Sequence, residues 1–544
     1  MLERDSFNNK RILKTLQNLE SRIIRIESFL KIESDSVKST TNYTKKKKDT
    51  NDAIEFHIGE FWFSKVGIVV LSIGLAFLLS LSYKEYPAVL PGIIGYVLTV
   101  VLYVSAYFFR NTNDYISKYL LGSSIFILFF STLRMHFFSE NPAIQNIFYE
   151  FVSLIVVVSI SLFISLKNKA VYMTAITLIM AYITALTSPN SYALFSILII
   201  ISIITVYIKI KHQWHFLLTA GIILTYLTHF IWFLNNPVLG NKVQLLSEPW
   251  SNLIFIMIYI IIFSLANYFR KDHFEEDNHL ISNTFFNCSI SFSLITFILF
   301  TRFKELENII NYISSFLFLS LAIVSWIKQK SKYATFFYAM FGYAALSIAI
   351  ISQFKGHNTF VWLCWQSIIV ISTAIWFRSK FIILTNFLIY ILILLGYIWR
   401  VETFDLLSLS FGITAILSAR LLNWQKDKLE LRTEFMRNAY LFSAFFIFPV
   451  TLYKLVPQQY VMISWIGLAL LYYTLNKILK NKKYRLMALG TIFLSVIYIF
   501  IIGIIQLEDI YRVTSFIVLG IVMIVTSLIY TQLRKKVNKD QKKT

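Results

Sequence analysis

Cysteine, glycine and proline are scarce in this chain of 544 residues, which contains 2, 16 and 8 of them, respectively. The two cysteines, Cys288 and Cys364, lie far apart inside apolar segments. Such a pair provides neither a disulfide framework nor the closely spaced ligands of a zinc site. The shortage of glycine disfavours the interrupted midplane helices that many secondary transporters use.

The sequence also lacks the familiar catalytic and nucleotide-binding motifs. No P-loop, HExxH, CxxC or GxSxG pattern occurs in it, and each of these motifs carries a specific chemistry. His212 and His215 are three residues apart, but a metal site would need further ligands, and none is evident. We therefore predict no cofactor and no metal site, and the sequence does not assign an enzymatic activity.

Long apolar runs dominate what is present. Hydrophobic residues make up 57% of the chain, and the runs are about twenty residues long, which is the length of a helix that crosses a bilayer. Barrel strands would be half as long and would alternate in polarity. The sequence therefore predicts an all-α, polytopic transmembrane helix bundle of about 18 spans within residues 55–533. The predicted spans are approximately 64–83, 88–109, 118–137, 147–166, 170–187, 191–208, 214–234, 250–269, 280–300, 309–327, 333–352, 359–377, 381–399, 404–422, 435–454, 459–479, 484–505 and 512–533.

Basic residues outnumber acidic ones by 51 to 29, which gives a net charge of +22. Lysine and arginine fall in every second gap between the spans, as in 167–169 and 328–332, whereas gaps such as 188–190 are poor in cations. The positive-inside rule then places both termini, including a basic tail at 534–544, in the cytoplasm. The predicted partner is the lipid bilayer and not nucleic acid, because no clustered basic face with interleaved aromatic residues is present.

The first 33 residues predict a cytoplasmic coiled-coil helix, followed by a disordered basic linker over residues 34–54. Apolar residues in the helix follow the alternating spacing of four and three that forms a coiled-coil seam. The alternative is an amphipathic helix that lies on the membrane surface. A coiled coil would pair with a second copy or with a partner helix. The seam consists of Ile12, Leu16, Leu19, Ile23, Ile26 and Leu30.

Ionisable side chains inside spans mark candidate sites, because their burial in lipid is costly. Arg134 lies near the outer end of the third span, Glu150 opens the fourth span on the same side, and His229 lies about one turn from the outer end of the seventh. Together they predict an outer polar pocket that handles an anion or a proton. In the structural alternative, Arg134 extends to the interface, Glu150 caps its helix and His229 is an interfacial histidine.

Three amide side chains lie deeper in the predicted spans. Asn287, Gln366 and Asn386 lie far from the span ends. Hydrogen bonds between helices account for such residues without any further role. We therefore predict that they make buried polar contacts.

Two segments carry a resemblance to a known family. The sequence IGEFW at residues 58–62, followed by Gly67 and by GLAF at 74–77, resembles the opening of a family of bacterial membrane proteins, domain-of-unknown-function family 2339. The last span, within 507–530, is similar to the closing helix of that family, which follows a Tyr-Arg pair. The resemblance implies a multi-pass protein of a bacterial inner membrane with a cytoplasmic coiled coil and a polar linker, and it implies no activity.

Three classes of function are compatible with these features. The first, which the polar residues inside the spans favour, is transport or flipping of an envelope-related solute or lipid. The second is a membrane-embedded enzyme that acts on a lipid-linked substrate. The third is a non-catalytic scaffold that recruits partners through its coiled coil.

Overall fold

A computed structural model describes residues 74–76, 89–111, 114–137, 142–234, 250–268, 278–400, 405–424, 433–503, 510–511 and 513–524. These residues are predominantly helical, and none of them belongs to a strand. The predicted coiled coil, the basic linker, most of the first span and the basic tail lie outside the described residues.

Apolar helices account for nearly all of the described chain. They are α1 (Leu90–Phe109), α2 (Asp114–Arg134), α3 (Ile147–Lys167), α4 (Val171–Leu186), α5 (Ser191–His212), α6 (His215–Leu234), α7 (Ser251–Leu265), α8 (Asn278–Arg302), α9 (Glu307–Val324), α10 (Lys332–Gln353), α11 (His357–Trp376), α12 (Lys380–Arg400), α13 (Leu409–Trp424), α14 (Glu434–Leu455), α15 (Gln458–Leu479), α16 (Lys482–Tyr498) and α17 (Val513–Ile524).

The helices match the predicted spans in order. Fourteen of them, some with an adjoining helical turn, are long and apolar enough to cross a membrane. The other three, α4, α7 and α17, are apolar helices of 10–17 residues. Each helix corresponds to one predicted span, from the second span to the eighteenth. The predicted all-α, polytopic fold is therefore confirmed.

The chain divides into two compact units, the first ending at Arg134 and the second beginning at Met135. In the first unit, α1 packs against α2. The Ser117 hydroxyl of α2 donates to the Ala106 carbonyl of α1 at 2.7 Å, and the buried side chains Leu102 and Ile127 form a small apolar core between the two helices.

The second unit contains α3 to α17 and packs mostly between sequence neighbours. The pairs α3–α4, α4–α5, α5–α6, α9–α10, α11–α12, α13–α14 and α15–α16 are in contact, and further contacts join α5 to α7, α6 to α8, α8 to α10 and α11 to α13. One continuous hydrophobic core extends through most of these helices. Tight turns join many sequence neighbours, and the two helices on either side of such a turn run in opposite directions.

One type of turn recurs after odd-numbered helices of the second unit. In the described ranges, five non-glycine residues have positive φ angles between 49° and 59°, and each lies within two residues of the end of an odd-numbered helix or of its last turn. Four of the five are basic, and a cation near a helix C-terminus interacts favourably with the helix dipole. All five residues lie in the cation-rich gaps. The residues are Lys169, Gln213, Lys330, Arg378 and Lys480.

Candidate functional site

A series of buried polar side chains runs along the inner faces of α6 and α8. On α8 the polar residues recur every four positions, which places them on one face of the helix. On α6 they lie seven and three residues apart, which again keeps them on one face. Two further residues come from α7 and α10. We call this series the polar track, and it consists of Thr219, Tyr226, His229, Ser264, Asn283, Asn287 and Tyr338.

The track begins about one turn inside α6. The Thr219 hydroxyl donates to the Asn283 Oδ1 atom at 2.7 Å, which joins α6 to α8. Asn283 is buried, and Thr219 is partly buried.

The centre of the track joins four helices through hydrogen bonds. The Tyr226 hydroxyl of α6 donates to Asn287 Oδ1 of α8 at 2.7 Å. The Asn287 amide donates to the Ile260 carbonyl at 3.2 Å and to the Ser264 hydroxyl of α7 at 3.4 Å. The Ser264 hydroxyl lies 2.8 Å from the Tyr338 hydroxyl of α10. Asn287, which the sequence placed among the deep amides, is therefore the central residue of the network.

His229 lies at the far end of the track in an aromatic enclosure. Its ring stacks on Phe195 with the centroids 4.6 Å apart, and it meets the edges of Trp232 and Tyr259 at 5.7 and 6.0 Å. The imidazole is fully buried, and neither ring nitrogen has a hydrogen-bond partner among the described residues. A buried polar group without a partner is unfavourable in an apolar interior, so it points to a bound group or to a functional role.

The track extends along about half of α6. Thr219 and His229 are ten residues apart on α6, which corresponds to about 15 Å at the usual helical rise. The hydrocarbon core of a bilayer is about 30 Å thick. The side chains of the track are therefore spread from near one end of α6 to beyond its middle.

Glu150 lies in the first turn of α3, where Asn146 caps the helix by accepting from the Phe148 amide at 2.9 Å. The Glu150 side chain is fully buried, and its two carboxylate oxygens find no hydrogen-bond partner in the described part of the chain. Arg134 ends α2 in the first unit and is also buried. Because Glu150 and His229 belong to the second unit, the outer pocket that Arg134, Glu150 and His229 would share stays a prediction.

Gln366 and Asn386 make contacts between α10, α11 and α12. The Gln366 amide of α11 donates to the Tyr343 carbonyl and to the Ser347 hydroxyl of α10, both at 3.0 Å. The Asn386 amide of α12 donates to the Ser367 hydroxyl of α11 at 2.9 Å. These two amides belong to a second polar cluster and not to the track.

Sequence reasoning missed Tyr226, Ser264 and Tyr338, which supply three of the four side chains in the central network. Tyrosine and serine are common in membrane spans, so none of the three stands out alone. The signal that was present is the spacing on α8, where Asn283, Asn287 and Ser291 recur every four residues. No group of three or more His, Cys, Asp or Glu side chains that could hold a metal ion occurs in the ranges that the structure describes.

Comparison with known proteins gives one match. The model of a family described as "Predicted membrane protein (DUF2339)" matches residues 59–460, which is more than half of the chain. The predicted resemblance is therefore confirmed, and the matched region begins within the IGEFW segment. The last span lies beyond the matched residues. No curated protein and no solved structure matches the chain.

Proposed function

Since this chain belongs to the family described as predicted membrane proteins, DUF2339, we propose that it transports or flips an envelope-related solute or lipid across the bacterial inner membrane. The observation that carries the proposal is the polar track, which ends at His229 without a hydrogen-bond partner among the described residues. The proposal places both termini in the cytoplasm, because gaps rich in lysine and arginine alternate with gaps that are poor in them.

The chemistry of the track suits a neutral or charged polar group that passes through an apolar interior. Tyr226, Ser264 and Tyr338 carry hydroxyls that both donate and accept hydrogen bonds. The Asn287 side chain donates through its amide nitrogen and accepts through its carbonyl oxygen. Such groups exchange one partner for another without leaving a charge unpaired. A substrate hydroxyl, amide or headgroup oxygen would replace one protein partner at a time as it moved along α6.

Glu150 and His229 extend the proposal to proton handling. Each is a titratable side chain inside an apolar span, fully buried and without a hydrogen-bond partner in the described residues. Ionisable residues in this position commonly serve proton relays or bind substrate. We assign them the role of the groups that bind a proton or a polar substrate atom during transport.

Flipping is tested with the purified full-length protein in vesicles that contain a trace of fluorescent NBD-labelled phosphatidylglycerol. External dithionite bleaches only the label that it can reach. The wild type should expose the inner-leaflet label at a rate well above that of protein-free vesicles. Asn287→Leu should lower that rate at least tenfold, because it removes the central donor and acceptor of the track.

The matched control is Asn386→Leu. Asn386 is also a buried amide that bonds to a neighbouring helix, but it lies outside the track. It should retain most of the rate. Equal losses in both variants would indicate a general loss of packing and would contradict a role for the track.

A soluble substrate is tested separately by mass spectrometry of molecules that copurify with the protein. A small polar molecule that accompanies the wild type and Asn386→Leu but not Asn287→Leu would support transport of a solute. If the label stays protected in wild-type vesicles and no copurifying molecule depends on Asn287, the proposal is wrong.

A further inference from the structure

A lateral groove of about 390 Å³ lies where α14, α15 and α16 meet, far along the chain from the polar track. Its volume falls within the range of about 300–1,000 Å³ that is usual for ligand pockets. The lining is apolar and aromatic. It includes Phe446, Val450, Trp465, Leu494, Ile497 and Tyr498.

Irregular helix geometry borders the groove on two sides. Pro449 lies inside α14, and proline has no backbone N–H to donate to the preceding turn. On the other side, Tyr498 ends α16 and leads into one turn of π-helix, Ile499–Gly503. Single π-helical turns are rare and occur frequently at functional sites. Two irregular helix segments therefore border the same groove, which indicates that the shape of the groove is built into the fold.

Two polar atoms of the lining are already bonded to the backbone. The Trp465 indole N–H donates to the Pro449 carbonyl at 3.1 Å, and the Tyr498 hydroxyl donates to the Gln458 carbonyl at 3.1 Å. The two rings therefore present their apolar surfaces to the groove. Such a lining fits a hydrocarbon chain better than a polar solute.

A cation lies at the end of the groove. Lys454 is exposed in the last turn of α14, next to the lining residue Tyr453, and its Nζ atom is 5.7 Å from the Tyr453 ring centroid. Within the described residues of α14, α15 and α16, the sole carboxylate is that of Glu434, at the opposite end of α14, where it lies 3.6 Å from Lys483. Among the described residues of these three helices, this end therefore carries a cation and no carboxylate, which suits an anion.

We propose that this groove binds one acyl chain of an anionic phospholipid, with the lipid phosphate at Lys454. The hydrocarbon chain would lie between α14 and α16 against the Trp465 ring. The phosphate would meet the Lys454 ammonium, because basic residues at the membrane surface attract anionic lipid headgroups. This site is separate from the polar track, and its occupation does not depend on transport.

The first experiment uses lipids with brominated acyl chains, which quench tryptophan fluorescence on contact. The full-length protein is placed in nanodiscs of either brominated phosphatidylglycerol or brominated phosphatidylcholine. The contribution of Trp465 is obtained by subtracting the signal of the Trp465→Phe variant. That contribution should be quenched at least twofold more strongly by the anionic lipid.

The cation is tested by Lys454→Gln, which should reduce quenching by phosphatidylglycerol to the level found with phosphatidylcholine. The control is Lys477→Gln, which should leave the preference for phosphatidylglycerol unchanged. Lys477 lies in the last turn of α15, whereas the first turn of α15 is the one that follows Lys454 in the chain. Equal quenching of the wild type by both lipids would overturn the proposal.

The second experiment fills the groove. Ile497→Phe enlarges a lining side chain, whereas Leu470→Phe makes the same kind of change at an exposed position on α15 outside the lining. Native mass spectrometry after a detergent wash should find phosphatidylglycerol retained by the wild type and by Leu470→Phe, and lost from Ile497→Phe. Retention by all three proteins would contradict the proposal even if lipid flipping were observed.

Discussion

The Tyr226 hydroxyl donates a hydrogen bond of 2.7 Å to Asn287 Oδ1 across the interface of α6 and α8. Both side chains are almost completely buried, and both lie in helices of membrane-spanning length. In hydrocarbon, neither group would find water if its partner were removed. The pair therefore fixes the register of the two helices and at the same time holds the centre of the polar track together.

A double-mutant cycle tests this pair. Tyr226→Phe leaves Asn287 Oδ1 without its donor, and Asn287→Leu leaves the Tyr226 hydroxyl without its acceptor. Each should lower the free energy of unfolding by about 1–2 kcal/mol, and the coupling between them should be about 0.6 kcal/mol, as found for hydrogen bonds between membrane helices. Unfolding in detergent micelles gives the three differences. Additive single losses would show that the two residues do not interact.

His229 should respond to substitution in the opposite way. His229→Phe keeps an aromatic ring against Phe195 and removes two buried nitrogens that have no partner among the described residues. We expect the free energy of unfolding to rise by about 1–3 kcal/mol, because an unsatisfied buried polar group is costly. The transport rate should fall.

The control for this prediction is His136→Phe. His136 Nδ1 lies 2.7 Å from the Ile144 carbonyl, so its loss should lower stability by about 1 kcal/mol. If His229→Phe were destabilised to the same degree, His229 would have a structural partner and no functional assignment would be needed.

The sequence was sufficient to predict the helices, because a run of about twenty apolar residues has one stable form in a bilayer. It was less informative about where a helix ends in the protein interior. The predicted span 250–269 is longer than α7, which ends at Leu265. Just beyond that end, the buried Lys209 side chain donates to the Ala266 carbonyl at 2.8 Å. From sequence alone, Lys209 was one more cation of a cytoplasmic gap.

The candidate site was predictable only as a set of unusual residues. Asn287 and His229 were identified because amides and histidines are rare in spans, but their partners depend on how α6, α7, α8 and α10 are rotated about their axes. Those rotations are set by close packing, such as the approach of Gly221 on α6 to Thr205 on α5. An apolar sequence rich in Ile, Leu and Phe is compatible with many such rotations.

The approach of α5 and α6 at Gly221 gives a third prediction. A Cβ atom at Gly221 would lie 2.5 Å from the Thr205 Cγ2 methyl, and the Thr205 hydroxyl is held by the Ile201 carbonyl at 2.7 Å. Gly221→Ala should therefore cost about 1–3 kcal/mol of stability. Thr205→Ser removes the methyl and keeps the hydroxyl, so the double variant should regain wild-type stability. Thermal unfolding measures both, and failure of the rescue would place the strain elsewhere.

The recurring turn gives a fourth prediction. Lys480 adopts a left-handed conformation at the end of α15, with φ 49° and ψ 37°, which costs a side-chain-bearing residue about 1–2 kcal/mol relative to the right-handed form. Lys480→Gly should raise the free energy of unfolding by about 1 kcal/mol. Lys477→Gly, one turn earlier and inside the helix, should lower it by about the same amount. If both substitutions lowered stability, the side chain of Lys480 would contribute more than its backbone conformation costs.

The orientation in the membrane gives the last prediction. Lys169 and Lys330 form left-handed turns after odd-numbered helices, and we expect the end of the second unit that carries them to face the cytoplasm, because lysine and arginine are retained on that side during insertion. Fluorescent-protein fusions at Asn111, Asn168 and Lys330 should therefore be bright, and alkaline phosphatase fusions at the same positions should be inactive. Fusions at Asn190 and Gly356 should give the opposite results. Opposite results at every position would show that the protein has the inverted orientation in the membrane. An opposite result at only one of two neighbouring positions would show that the helix between them does not cross the membrane.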